Sequence, residues 1–106
     1  MIKYISYNYT IYKRFYLFRW SEEKSAILKA TRGYSFDDVI KVMMENGVLD
    51  NTKHPNTQKY PNQFIYVIEL DGYIHYVPYV IDGDDIFLKN IIPSRKLNKL
   101  YKKAKK

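Results

Sequence analysis

The sequence predicts an α+β domain in which two N-terminal helices pack on an antiparallel sheet of three to five strands, followed by a basic C-terminal helix. Three observations indicate this fold: two capped helical segments before residue 48, three β-rich segments between residues 63 and 92, and a lysine-rich end with helical spacing. The 106 residues allow one domain. We therefore interpret 1–106 as a single domain and 95–106 as its basic C-terminal helix or tail.

The chain begins with a region that favours extended structure. Residues 2–12 and 14–19 mix Ile, Tyr, Phe and Thr in loose alternation with polar residues, which predicts one or two strands. The chain contains 12 tyrosines, and this amphipathic ring can either stiffen a thin sheet or stack on nucleobases. We expect the structural role for most of them.

Two short helices are predicted next. Ser21 is a suitable N-cap for the first, whose first turn is acidic, and Gly33 ends it. Ser35 is a suitable N-cap for the second, with Asp38 in the capping-box position, and Gly47 ends that helix.

The second half of the chain predicts a sheet and a final helix. Residues 49–62 are polar and form a predicted loop longer than usual, and long loops often carry function. Strands are predicted over 63–70, 73–81 and 86–92, with a hairpin turn at Asp71-Gly72. The last strand closes at Pro93, and Ser94 can cap the final basic helix.

The positive charge of the chain is concentrated at its end. The formal net charge is +7, and residues 95–106 contain seven basic residues and no acidic one. The other eleven Lys and Arg balance all eleven Asp and Glu. Such a cluster is typical of a protein with a polyanionic partner such as RNA, or of a solvated tail that only aids solubility.

Several function classes lack their residues. The absence of cysteine excludes disulfide scaffolds, thiolate zinc sites and a cysteine nucleophile. The two histidines lie 21 residues apart without an HExxH pattern, and GxSxG, P-loop and GxGxxG motifs are missing. The turn at 82–85 lacks the full calcium-loop pattern. We therefore expect no metal and no cofactor. With no leader peptide or membrane-spanning run in view, we expect a cytoplasmic protein without a membrane partner.

The remaining basic, histidine- and tyrosine-containing set could cleave RNA without a metal. That reaction needs a base for the 2′-hydroxyl proton, cations for the developing charge and an acid for the leaving oxygen. The candidate catalytic residues are His54, Lys89, Arg95 and Tyr101, and the candidate substrate-binding residues are Lys53, Lys59, Lys96 and Lys99. His54 is expected to be exposed in its polar loop, whereas His75 is expected at the surface of the sheet in a structural role.

Three segments resemble one family. The segment FRWSEEK at 18–24 resembles the F-x-W-[DS]-xx-K signature of BrnT-type toxins, and RGYSFDDV at 32–39 matches their [KR]-[HR]-G-[VY]-S-F-[ED]-[ED]-[AV] segment. The run IIPSRK at 91–96 is similar to their R-I-I-S-A-R run. The resemblance covers residues 18–101, and its middle motif is the most specific.

The resemblance implies a RelE-like ribonuclease fold and the toxin half of a type II toxin–antitoxin pair. The implied activity is metal-independent cleavage of mRNA that arrests translation, and the implied partner is a cognate antitoxin, acidic or DNA-binding, that covers the active site. On this basis His54 would act as general acid or base, Lys89 and Arg95 would hold the scissile phosphate, and Tyr101 would assist orientation.

Departures from the family pattern leave an alternative open. Asn90 stands where the family's run begins with Arg, and Pro93-Ser94 replaces Ser-Ala. The acidic residue that the family commonly has before its terminal Tyr is absent before Tyr101, and residues 1–17 have no counterpart in the family. The alternative is a non-catalytic nucleic-acid-binding or partner-binding module on the same scaffold.

Overall fold

A computed structural model describes residues 2–9 and 14–104 of the chain. Parts of two predicted elements, residues 10–12 of the first strand and 105–106 of the basic C-terminal segment, lie outside the described residues. Within the described ranges the elements are β1 (Ile2–Tyr9), β2 (Arg14–Ser21), α1 (Glu22–Arg32), α2 (Phe36–Asn46), β3 (Asp50–Lys53), β4 (Phe64–Leu70), β5 (Tyr73–Asp82), β6 (Asp85–Leu88), β7 (Ile92–Pro93) and α3 (Arg95–Ala104). The predicted α+β class is confirmed.

The strands form one mixed sheet in the order β1-β2-β6-β5-β4-β3, with the two-residue β7 paired to β5. Leu17–Arg19 of β2 run parallel to Asp85–Phe87 of β6, whereas the other described pairs are antiparallel. The predicted antiparallel sheet of three to five strands is therefore wrong in both strand number and direction. A parallel pair needs a long connection between its strands, and here α1, α2 and β3 to β5 lie between β2 and β6.

Two predicted element boundaries are also corrected. Asp50–Lys53, expected to be part of a loop, pairs with Phe64–Val67 as an edge strand whose four side chains are all exposed. Backbone hydrogen bonds hold such a strand in the sheet. Its side chains therefore do not alternate between buried and exposed positions. The strand predicted over 86–92 is interrupted after Leu88 and resumes as β7.

The predicted helix ends are confirmed. The Ser21 hydroxyl accepts a hydrogen bond from the Lys24 N–H at 3.2 Å, and the Ser35 N–H donates to the Asp38 carboxylate at 2.8 Å. Gly33 ends α1 at φ +86°, a left-handed conformation that favours glycine. The N–H of Gly47 closes α2 on the carbonyl of Met43 at 3.0 Å.

Among the residues described, two hydrophobic clusters flank the sheet. The larger joins side chains of both early helices to β2, β4, β5 and β6; its members include Phe18, Trp20, Leu28, Phe36, Val39, Ile40, Met43, Tyr66, Ile68, Val77, Tyr79, Ile86 and Leu88. The smaller consists of Ile65, Val67 and Ile74, against which Tyr76, Leu97 and Tyr101 pack. Because alternate residues of β4 belong to different clusters, the clusters lie on opposite faces of the sheet. Helix α3 thus covers the face opposite to α1 and α2.

Helix α3 is capped at its start and joined to the sheet by two side-chain contacts. The Ser94 hydroxyl accepts from the Leu97 N–H at 3.1 Å, which confirms the predicted cap. The side-chain oxygen of Asn98 accepts from the Ile74 N–H at 3.1 Å, and Lys102 forms an ion pair with Glu69 at 2.6 Å. The helix therefore begins beside β5 and ends beside β4.

Candidate nucleic-acid interface

Strands β2 and β6 place two cations around one aromatic ring. Phe87 lies opposite Val80, and its neighbour Leu88, opposite Tyr79, belongs to the larger cluster, so the Phe87 side chain is on the α3 face. Arg19 is the register partner of Phe87, and its guanidinium carbon lies 5.9 Å from the ring centroid. The Lys89 ammonium lies 5.4 Å from the same centroid. We call Arg19, Phe87 and Lys89 the cationic surface.

An ion pair orients one of these cations. Arg19 Nη1 lies 2.9 Å from Asp85 Oδ2, and the two side chains are 21% and 23% exposed. Asp85 and Phe87 alternate on the same face of β6, so the carboxylate holds the guanidinium beside the ring. Lys89 is exposed.

His54 lies directly after β3, at the base of the remaining loop, residues 54–63. Its backbone N–H donates to the Gln63 carbonyl at 2.9 Å, and its Nδ1 accepts from the Asn56 N–H at 3.0 Å. The neutral imidazole therefore carries its proton on Nε2. The ring lies 4.4 Å from that of Tyr60 and 6.4 Å from that of Tyr76, between centroids. His54 is half-buried beside these tyrosines, not fully exposed as predicted.

The predicted catalytic cation and histidine are far apart. Lys53, Phe64, Tyr79 and Leu88 form one row across the sheet; His54 follows Lys53, Phe87 precedes Leu88, and Lys89 lies on the same face as Phe87. Three strand spacings separate His54 from Phe87, which amounts to about 14 Å. His54 and Lys89 therefore border the same face without contact between them.

Arg95 lies at a third position. The Ser94 N–H bonds to the Ile74 carbonyl, so α3 begins beside Ile74, while the Lys89 N–H bonds to the Pro78 carbonyl four residues further along β5. Four residues of a strand span about 13 Å. Arg95 is exposed at the start of the helix and is not brought to Lys89.

Tyr101 is a packing residue in this structure. Its ring packs against the smaller cluster from the inner side of α3. Burial raises the pKa of the Tyr101 phenol, and the Asp50 carboxylate raises it further. Tyr101 thus remains an uncharged phenol, and it shares the cluster with Tyr76, whose ring faces His54.

The four predicted substrate-binding lysines separate into three groups. The Lys59 ammonium lies 5.4 Å from the centroid of the Tyr60 ring, and that ring also contacts His54. Lys53 is opposite Phe64, whose side chain packs on the larger cluster, so Lys53 projects from the other face. Lys96 and Lys99 are exposed on α3.

His75 is not at the sheet surface as predicted. Its side chain is only 3% exposed, with Nδ1 2.9 Å from the Tyr73 carbonyl oxygen and Nε2 3.0 Å from the Tyr34 hydroxyl. The carbonyl can only accept, so Nδ1 donates to it and Nε2 accepts from Tyr34. Burial lowers the pKa of the His75 imidazole, which stays neutral and structural.

The sequence did not indicate four residues of the candidate interface: Arg19 and Phe87 of the cationic surface, and Tyr60 and Tyr76 beside His54. Simple alternation within β6 could have placed Phe87 with Lys89. The position of Arg19 depends on the parallel register with β6, which no local pattern indicates. Tyr60 contacts His54 within the loop, whereas Tyr76 contacts it through the pairing of β3, β4 and β5.

The arrangement offers cations and aromatic rings on one face of the sheet, a combination suited to nucleic acids. Among the described residues no group of three or more His, Asp or Glu side chains could hold a metal ion. None of the helices in the described ranges is long and apolar enough to cross a membrane. Comparison of the chain with protein-family models, curated proteins and solved structures finds no match.

Proposed function

We propose that this protein binds single-stranded RNA on the α3 face of its sheet and cleaves it without a metal ion. In this proposal the chain is the toxin of a type II toxin–antitoxin pair with a RelE-like fold, acts on mRNA in the cytoplasm and is covered by a cognate antitoxin. The observation that carries the proposal is the Phe87 ring flanked by Arg19 and Lys89.

Elementary electrostatics supports binding at the cationic surface. Cations beside a phosphate chain release condensed counterions, and an aromatic ring offers a stacking plane to any base. The chain outside residues 95–106 is neutral overall, so its attraction for RNA depends on where its positive side chains lie. Lys89 and Arg19 place two positive charges beside Phe87. The basic residues of α3 add longer-range attraction; they include Arg95, Lys96 and Lys99.

The proposed reaction is attack of a ribose 2′-oxygen on the adjacent phosphorus. The P–O5′ bond breaks, a 2′,3′-cyclic phosphate forms, the 2′-hydroxyl proton passes to a base, and the 5′-oxygen takes a proton from an acid. The bond from Asn56 occupies Nδ1, so His54, as general acid or base, would exchange a proton with the RNA through Nε2. Lys89 and Arg19 would neutralise the phosphate.

The test uses end-labelled single-stranded RNA in EDTA with wild-type protein, His54→Ala and Lys89→Ala. We expect cleavage by the wild type and a loss of at least tenfold in each variant. Lys41→Ala is the matched control, because Lys41 is an exposed lysine on α2, which packs on the other face. Unchanged cleavage in the double variant His54→Ala/Lys89→Ala would remove both residues from the mechanism.

Binding without cleavage is the second candidate function. The separation of about 14 Å between His54 and Phe87 favours it, because acid, base and cations must reach a single phosphate for cleavage. This candidate predicts a stable protein–RNA complex with intact RNA after long incubation in EDTA and also in Mg²⁺.

A further inference from the structure

We propose that the loop at residues 54–63 is a nucleobase-binding subsite. This inference rests on the proposed RNA binding and extends it to a second place on the same face. The loop brings together His54, Tyr60 and Lys59, and β5 adds Tyr76, whose ring is nearly perpendicular to the imidazole. In this subsite one unpaired base stacks on the Tyr60–His54 pair.

The loop is held in shape by its own hydrogen bonds. The side-chain oxygen of Asn56 accepts from the Lys59 N–H at 3.1 Å, and its carbonyl accepts from the Tyr60 N–H at 2.9 Å. The Gln63 N–H then bonds to the Tyr60 carbonyl at 3.3 Å, and His54 closes the loop on Gln63. The rings are thus positioned before a ligand arrives, which lowers the entropic cost of binding.

The rings also keep surface for a ligand. His54 and Tyr60 are each half-buried, and Lys59 is exposed beside the Tyr60 ring. A base on this pair would meet aromatic surface, the Nε2–H of His54 as a donor and the Lys59 ammonium for an adjacent phosphate.

The two RNA contacts then have a fixed spacing. His54, at the start of the subsite loop, and Phe87 are three strand spacings apart, so their backbones are separated by about 14 Å. A single strand bound at both contacts would run across the strands of the sheet, beside α3. The subsite therefore adds a base contact at a distance from the phosphate contact of Lys89.

The experiment compares two single-stranded 2′-O-methyl oligonucleotides, because these lack the attacking hydroxyl and stay intact. One carries 2-aminopurine at a central position, and the other has an abasic residue there. Binding of each to wild type, Tyr60→Leu, Tyr60→Phe and Lys89→Ala is followed by fluorescence anisotropy of an end label, and stacking by quenching of the 2-aminopurine. Circular dichroism checks that each variant is folded.

The proposal predicts that the wild type prefers the base-containing strand by about 5- to 150-fold, the range expected for one base stacked on an aromatic ring. Tyr60→Leu should lose the preference and the quenching, whereas Tyr60→Phe should keep both. Lys89→Ala should weaken both strands equally.

Two results would overturn the inference. Only the second would also contradict the proposal that the protein binds RNA. If wild type binds both strands equally and without quenching, the subsite is wrong while the RNA-binding proposal stands; this comparison needs no variant to fold. If wild type binds neither strand, both proposals are wrong.

Discussion

Arg19 and Asp85 form an ion pair across the parallel strands β2 and β6, with Nη1 and Oδ2 2.9 Å apart. The same guanidinium lies over the Phe87 ring, so one carboxylate fixes the cation that borders the proposed RNA surface. The pair also connects residues 66 positions apart in the sequence. Because Asp85 neutralises Arg19, a substitution of Asp85 changes the charge of the cationic surface and so tests whether RNA binds there.

Replacing Asp85 by Asn is expected to strengthen RNA binding at low salt. The change removes a negative charge beside Arg19 and leaves the shape of the side chain nearly unchanged. The free energy of unfolding should fall by about 1 kcal/mol, because the ion pair is partly exposed. Fluorescence anisotropy with single-stranded RNA and urea denaturation measure the two effects. Weaker RNA binding by a folded Asp85→Asn protein would argue against this surface.

Stability should fall as the pH is lowered below about 6.5 because of His75. Burial lowers the pKa of the folded imidazole below its ordinary value of 6.5, so the unfolded chain takes up more protons on acidification. The facing groups are Tyr34 and Tyr73, which bond to the ring, with Asp71 and Arg32 further away. Above that pH the neutral His75 makes its full contribution to the free energy of unfolding. Below it, protonation of this one group lowers that free energy by at most about 1.4 kcal/mol per pH unit.

The measurement is urea denaturation at pH 7.5 and pH 5.5. His75→Gln should show a smaller loss in the free energy of unfolding between the two pH values than the wild type. The Asp38 carboxyl, whose pKa is lowered by its bonds to Ser35 and Lys29 against the opposing effect of burial, stays ionised in this range. Equal pH dependence in His75→Gln and wild type would contradict the assignment.

Tyr101→Phe should leave RNA cleavage or binding within about twofold of the wild type. The ring packs against Ile65, Val67 and Ile74, and the phenylalanine ring preserves that contact. Tyr101→Ala should instead lower the free energy of unfolding by about 3 kcal/mol or less, since the residue is only partly buried. A large loss of activity in a fully stable Tyr101→Phe protein would show that the Tyr101 hydroxyl takes part in the reaction.

The local elements follow from the sequence because their signals are local. Ser21, Ser35 and Ser94 precede helices as caps, and Gly33 ends one with a left-handed backbone. Each of these positions is read from residues within one helical turn.

The long-range pairings do not follow, because no short pattern encodes them. The parallel register of Arg19 with Phe87 joins distant segments, and β3 carries four exposed side chains without alternation. His75 looks like a surface residue among tyrosines, yet its partner Tyr34 comes from the joint between α1 and α2. The candidate site depends on these pairings, so residue types indicated its chemistry and the fold decided which residues meet.

The central claim is that RNA lies on the α3 face beside Lys89, and a salt titration tests it most directly. Anisotropy of labelled single-stranded RNA is measured from low to moderate salt with wild type, Lys89→Ala and Lys41→Ala. We predict that Lys89→Ala weakens binding and lowers the slope of log K against log salt by about 0.7, the value for one phosphate contact on a single strand. Lys41→Ala should match the wild type. An unchanged slope and affinity in Lys89→Ala, with loss of binding in Lys96→Ala/Lys99→Ala, would place the RNA on the outer side of α3 and contradict the account.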